Sequence, residues 1–180
     1  MTTSEILARV REYYDAKLHE HGATPAGVDW NSLESQTLRF RQLLRVCENA
    51  GPFSINDYGC GYGALVDYVV GQGYTFTYCG FDISDRMIRT AAELHTGLGY
   101  CRFSTDETDL KPVDYTVASG IFNVKQEISN GDWERYITET IAKIARLSRK
   151  GFAFNLLTKY SDPERMRADL YYADPLCLFD

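Results

Sequence analysis

The chain is short of the residues that build metal centres and redox sites. Its 180 residues include three histidines, His19, His21 and His95, and five cysteines, Cys47, Cys60, Cys79, Cys101 and Cys177. The cysteines are odd in number and scattered, with no Cys-x-x-Cys pair. That excludes a zinc ribbon and a disulfide framework and fits reduced thiols. Positive charge is also scarce. Nineteen Lys and Arg stand against 25 Asp and Glu, a net charge of −6, so the basic face needed to neutralise nucleic-acid phosphates is missing. The one basic cluster, Arg146 to Lys150, falls at the end of a predicted helix, where cations complement the helix dipole. No apolar run approaches a membrane span, and the N-terminus lacks the core of a signal peptide. The expectation is one cytoplasmic domain with no nucleic-acid, membrane or metal partner.

What is present is ordered along the chain. Residues 1–50 read as a helical cap. Ile6, Val10, Tyr13, Tyr14 and Leu18 recur at helical spacing behind Thr3 or Ser4 as a cap. A loop follows over residues 21–30, then a second helix capped by Ser32, with Leu38, Leu43, Leu44 and Cys47 as its inner stripe. Residues 51–160 alternate between strand and helix: "FSINDY", "YTFTYCGFD", "YCRFS", "DYTVASGIF" and "GFAFNLL" are strands, with helices between most of them. Alternation of this kind predicts an α/β, doubly wound, mostly parallel sheet with right-handed crossovers. Residues 161–180 read as a short helix, Pro163 to Leu170, and an aromatic tail.

The stretch "DYGCGYG" joins the first strand to the first sheet helix. In such sheets ligands lie beyond the carboxyl ends of the strands, and glycines let the backbone approach them closely. The spacing is Asp-x-Gly-x-Gly-x-Gly, over Asp57, Gly59, Gly61 and Gly63. The dinucleotide loop G-x-G-x-x-G spaces its glycines differently. Asp57 would repel a pyrophosphate and suits a ligand that carries a cation. Asp82 ends the second strand, where a carboxylate can accept from two ribose hydroxyls. Ile83 can lie against one face of an adenine, and Asp106 can accept from its exocyclic amine. A cationic amino-acid part, a ribose and an adenine together describe S-adenosylmethionine.

These motifs resemble those of class I S-adenosylmethionine-dependent methyltransferases. "DYGCGYG" resembles their glycine motif, "GFDIS" their acidic second-strand motif and "DYTVASGIF" their fourth-strand motif, over roughly residues 50–160. The resemblance implies that Gly59, Gly61 and Gly63 flank the methionine part and that Asp82 binds the ribose. Ile83 and Asp106 would frame the adenine, and the main chain at Ser119 and Gly120 would approach the methionine end. In this family the N-terminal segment often folds over the cofactor. Trp30 is then a ring near it, and Arg39 a clamp for the methionine carboxylate or a surface arginine paired with Glu34 or Glu48.

The acceptor is narrowed by elimination. "SGIFNVK" after the fourth strand lacks the Asp/Asn-Pro-Pro-aromatic segment of DNA-amino methyltransferases, the Pro-Cys nucleophile of cytosine-C5 enzymes and the carboxylates of metal-dependent catechol enzymes. A small-molecule acceptor remains. His19, His21 and Asn123 are the candidates for catalytic contact. The family's sixth and seventh strands have no counterpart here: either another element covers that sheet edge, or the edge is open, which predicts a homodimer or poor solubility. Two alternatives stay open: a non-catalytic subunit or sensor that binds the cofactor, and a nicotinamide-dependent reductase.

Overall fold

The computed structural model describes residues 1–48 and 51–178. Residues 49, 50, 179 and 180, where the expected cap ends and the aromatic tail closes, lie outside the described residues. The β-branched and aromatic runs form five strands: β1 (Phe53–Tyr58), β2 (Phe76–Phe81), β3 (Cys101–Ser104), β4 (Val113–Ala118) and β5 (Ser148–Phe154). All pair in parallel, in the order β3-β2-β1-β4-β5. The expected doubly wound α/β sheet is therefore present. Its order reverses between β1 and β4, which opens a crevice at their carboxyl ends.

Helices α1 (Thr3–His21) and α2 (Leu33–Leu43) precede the sheet, and α3 (Ala64–Gly71), α4 (Asp85–Leu94) and α5 (Asn130–Arg146) connect its strands. Thr2 caps α1 in a capping box with Glu5, one residue before the caps expected from sequence. Ser32 and Ser84 cap α2 and α4 as expected, by accepting from the Ser35 and Met87 amides. The basic cluster divides. Arg146 ends α5, whereas Arg149 and Lys150 lie in β5, where Lys150 pairs with Asp114 at 3.0 Å.

Two cores flank the sheet. One gathers Phe40 and Leu43 of α2 with Leu65, Val66 and Val69 of α3 against Ile55, Tyr78 and Val117. The other gathers Ile6 and Val10 of α1 with Trp133, Tyr136 and Ile137 of α5 against Tyr58 and Phe122. Trp133 is fully buried and donates its indole N–H to the Phe122 carbonyl at 2.9 Å. Burying such a ring contributes roughly 1.5–3 kcal/mol. The inner stripe of α2 differs from expectation. Leu38 is 37% exposed, and Gln36 and Phe40 face inward in its place. Gln36, Phe40 and Leu43 share a face at i, i+4 and i+7, and Leu38 falls outside it.

Beyond β5 no long helix forms among the described residues. Pro163–Arg165 makes one short 3₁₀ turn. The chain is then drawn back to the sheet: Leu170 bridges Val124, the Tyr171 amide donates to the Asn123 carbonyl at 2.7 Å, and Thr158 bridges Ala173. These contacts take the backbone groups a helix from Pro163 to Leu170 would have used.

Candidate active site

The glycine loop is held by the strand beside it. Both the Gly59 and Cys60 amides donate to the Phe81 carbonyl, at 2.7 and 2.9 Å. Gly59, Gly61 and Gly63 have φ of 81°, 54° and 85°, a left-handed backbone that costs an ordinary residue about 1–2 kcal/mol. Their roles differ. Gly59 and Gly61 line cavities. Gly63 lines none of the cavities described here. A Cβ there would stand 2.8 Å from Cε1 of His95. His95 is buried at the end of α4, with Nδ1 2.7 Å from the Ala91 carbonyl and Nε2 3.3 Å from Asp67, outside hydrogen-bond geometry. The third glycine thus makes room for a packing histidine.

Asp82 organises the loop from the end of β2. Its two oxygens accept from the Gly61 amide and the Ser84 amide, each at 2.9 Å. Burial pushes its carboxyl up to about 6, against these two hydrogen bonds. Asp82 lines a cavity of about 80 Å³ with Ile83, Met87, Ser119 and Gly120, closed from above by Leu7, Val10 and Tyr14 of α1. The floor is apolar, through Phe81 and Ile121. Ser84 also bonds Asp15, so the carboxyl-end loops are fastened to α1.

A second, smaller cavity of about 40 Å³ adjoins the first at Gly59, Gly61, Trp30 and Ser119. Three of its lining residues each carry a buried oxygen without a partner: Oδ1 of Asp57, Oε1 of Gln36 and Oγ of Ser119. The other Asp57 oxygen accepts from the Tyr78 hydroxyl at 2.8 Å. Burial pushes the Asp57 carboxyl up to about 7. Unpaired buried acceptors are costly. Such oxygens are suited to a group with several N–H donors, as an ammonium has. Cys60 lines the same space, and burial raises its thiol well above the usual range, so it is no thiolate nucleophile.

A third cavity, of about 410 Å³, shares Tyr14, Val28, Trp30 and Gly120 with the first. Arg39 and Asn123 line it.

The structure therefore brings together Asp57, Gly59, Gly61, Asp82, Ile83, Ser119, Gly120 and Trp30 from the sequence reading, and sets the other six, Gly63, Asp106, Arg39, Asn123, His19 and His21, apart from them. Asp106 is exposed, caps the turn Glu107–Asp109 by accepting from the Thr108 amide at 2.8 Å, and lines none of the three cavities. Arg39 lies on the third cavity and not beside the glycine loop. His19 and His21 line none of the three. α1 runs through His21, its buried stripe passes through Leu18, and His19 sits one residue round the helix. Gln36 was the residue missed; its signal was the i, i+4 pairing with Phe40.

No family model matches the chain. A Mycobacterium tuberculosis protein named "Putative methyltransferase Rv1506c" is 47% identical over 137 residues, which cover 76% of this chain and 82% of that protein. Among solved structures, magnesium protoporphyrin IX methyltransferase (ChlM) from Synechocystis PCC 6803 with bound SAH superposes with a TM-score of 0.64 at 16% identity, over 95% of this chain and 84% of that one. Mycolic acid cyclopropane synthase CmaA1, complexed with SAH and CTAB, gives 0.57 at 17% identity over 88% of this chain, which spans 57% of that protein's length. The fold is the class I methyltransferase fold. The chain belongs to the S-adenosylmethionine-dependent methyltransferase family.

Proposed function

We propose that the protein transfers the methyl group of S-adenosylmethionine to a small-molecule acceptor. The observation that carries the reading is the set of three partnerless buried oxygens on residues that line the cavity beside Asp82. Asp57, Gln36 and Ser119 would hold the ammonium of the methionine part. Asp82 retains lone pairs beyond its two loop amides and would accept from the ribose hydroxyls. Ile83, Met87 and Ile121 would enclose the adenine, beneath α1. When bound, the cofactor would supply an activated methyl group on a sulfonium.

The protein's part is then to position and to exclude water. Tyr14, Trp30 and Gly120 belong to both the first and third cavities and form the passage between them. Burial raises the Tyr14 hydroxyl well above its usual range, so it stays protonated and serves as a hydrogen-bonding group rather than a base. A subunit that only binds the cofactor has no need of the third cavity, which is why turnover is the favoured reading. No helix among the described residues is long and apolar enough to cross a membrane. The four described cysteines are unpaired, which supports a reducing cytoplasm. Calorimetric titration with S-adenosylhomocysteine tests the proposal: saturable binding supports it, and absence of binding removes it.

A further inference from the structure

The walls of the third cavity carry more charge than a passage needs, and most of it is internally balanced. Asp29 pairs with Lys17 at 3.2 Å and with Arg167 at 3.6 Å, and Arg167 also holds Asp169. Arg39 stands apart. It is half-buried, lines the cavity, and makes no ion pair or side-chain hydrogen bond with any described residue. Deeper in, Oδ1 of Asn123 is buried without a partner, on a main chain fixed through Gly120 and Tyr171. Between these polar points the wall is mixed: Trp30, Val124, Leu157, Leu170 and Tyr172 give apolar surface, and Asn31, Ser35 and Ser161 polar surface. About 410 Å³ is within the range of small-molecule sites.

We infer that the methyl acceptor is an amphipathic carboxylic acid, anchored by its carboxylate on Arg39 and lying along Trp30 toward Gly120. The inference rests on the methyltransferase reading of the adjoining cavities. A guanidinium presents a planar fork that a carboxylate matches with two parallel hydrogen bonds. Asp29 and Asp162 line the same cavity. A singly charged carboxylate meets less repulsion from them than a phosphate dianion does. Trp30, Val124, Leu157 and Leu170 take the apolar body of the acid, and Asn123 offers a hydrogen-bonding amide beside the methyl path. Arg39 is three residues from Gln36 on α2, so one helix would serve both ligands: Gln36 in the cofactor cavity, Arg39 in the acceptor cavity.

The test uses benzoate as the probe, with benzamide as its neutral counterpart and phenyl phosphate as the dianion. All are titrated by NMR into full-length protein saturated with S-adenosylhomocysteine. Benzoate is expected to bind most tightly of the three. Arg39→Gln is expected to weaken benzoate on the order of tenfold, the loss of a charge-assisted pair, while S-adenosylhomocysteine affinity stays within about threefold of wild type, well below the loss expected of a severed charge-assisted contact. Retained S-adenosylhomocysteine binding shows that the variant folds. Benzoate binding no tighter than benzamide, or weaker than phenyl phosphate, overturns the assignment. So does a large loss of S-adenosylhomocysteine affinity in Arg39→Gln, which would return Arg39 to the cofactor's own carboxylate. If wild type fails to bind S-adenosylhomocysteine at all, the cofactor reading falls and the inference falls with it.

Discussion

Asp57 carries a proton-linkage consequence. Its carboxyl is raised from 3.8 to about 7 by burial. The folded chain therefore keeps a proton that the unfolded chain gives up. In the free protein this group makes stability fall as pH rises from about 4 to about 7, and has no further effect above that. An ammonium placed among Asp57, Gln36 and Ser119 favours the ionised carboxylate. Binding of S-adenosylhomocysteine at pH 6.5 should then release protons, read from calorimetric enthalpies in two buffers of different ionisation heat. Asp57→Asn should remove most of the release. Equal release in that variant would place the ammonium elsewhere. Asp82 has a second duty, since its oxygens hold the Gly61 and Ser84 amides. Asp82→Ala is therefore expected to cost fold stability, about 1–3 kcal/mol, as well as at least tenfold in cofactor affinity. Unchanged affinity would move the ribose away from it. The sequence showed both acids because their chemistry is local to a strand end. It did not separate Asp82 from Asp106, since an acid that caps a 3₁₀ turn reads the same as one that meets a ligand.

At the scale of elements, the two outer glycines of the loop do different work, and substitution separates them. Gly63→Ala pushes a Cβ against His95, which the Ala91 carbonyl holds in place. Left-handed backbone adds about 1–2 kcal/mol. The melting temperature should drop by several degrees, with cofactor affinity in the surviving folded protein nearly unchanged. Gly59→Ala instead aims its Cβ 2.2 Å from Ile121 Cγ2, beside the cavity proposed for the cofactor, and should reduce affinity. Equal affinity losses in the two would contradict the division. Helical periodicity made α1 legible, and the Ile6–Val10–Leu18 stripe holds. That Leu7, Val10 and Tyr14 roof the cavity was not legible, because it depends on where the helix docks. The same holds for α2, where Gln36 and Arg39 look alike in sequence and end in different cavities.

For the whole molecule, the open question is the edge at β5, which pairs with β4 alone among the described strands. Charges at Arg149 and Lys150 guard its first half. Phe152, stacked on Phe154, stays 37% exposed in its second half. We propose that a second copy covers this half. Wild type should self-associate with rising concentration in sedimentation, and Phe152→Lys should remain monomeric; a wild type that is monomeric throughout would exclude the pairing. The parallel order was readable from strand–helix alternation. The course of the chain after β5 was not, because the bridges of Leu170 to Val124 and Ala173 to Thr158 join segments with no shared periodicity. One measurement bears on the whole account: calorimetric titration of the wild-type protein with S-adenosylhomocysteine, with NAD as the control. Saturable binding of S-adenosylhomocysteine alone is predicted by the unpaired oxygens and the position of Asp82. Binding of NAD, or of neither, would contradict it.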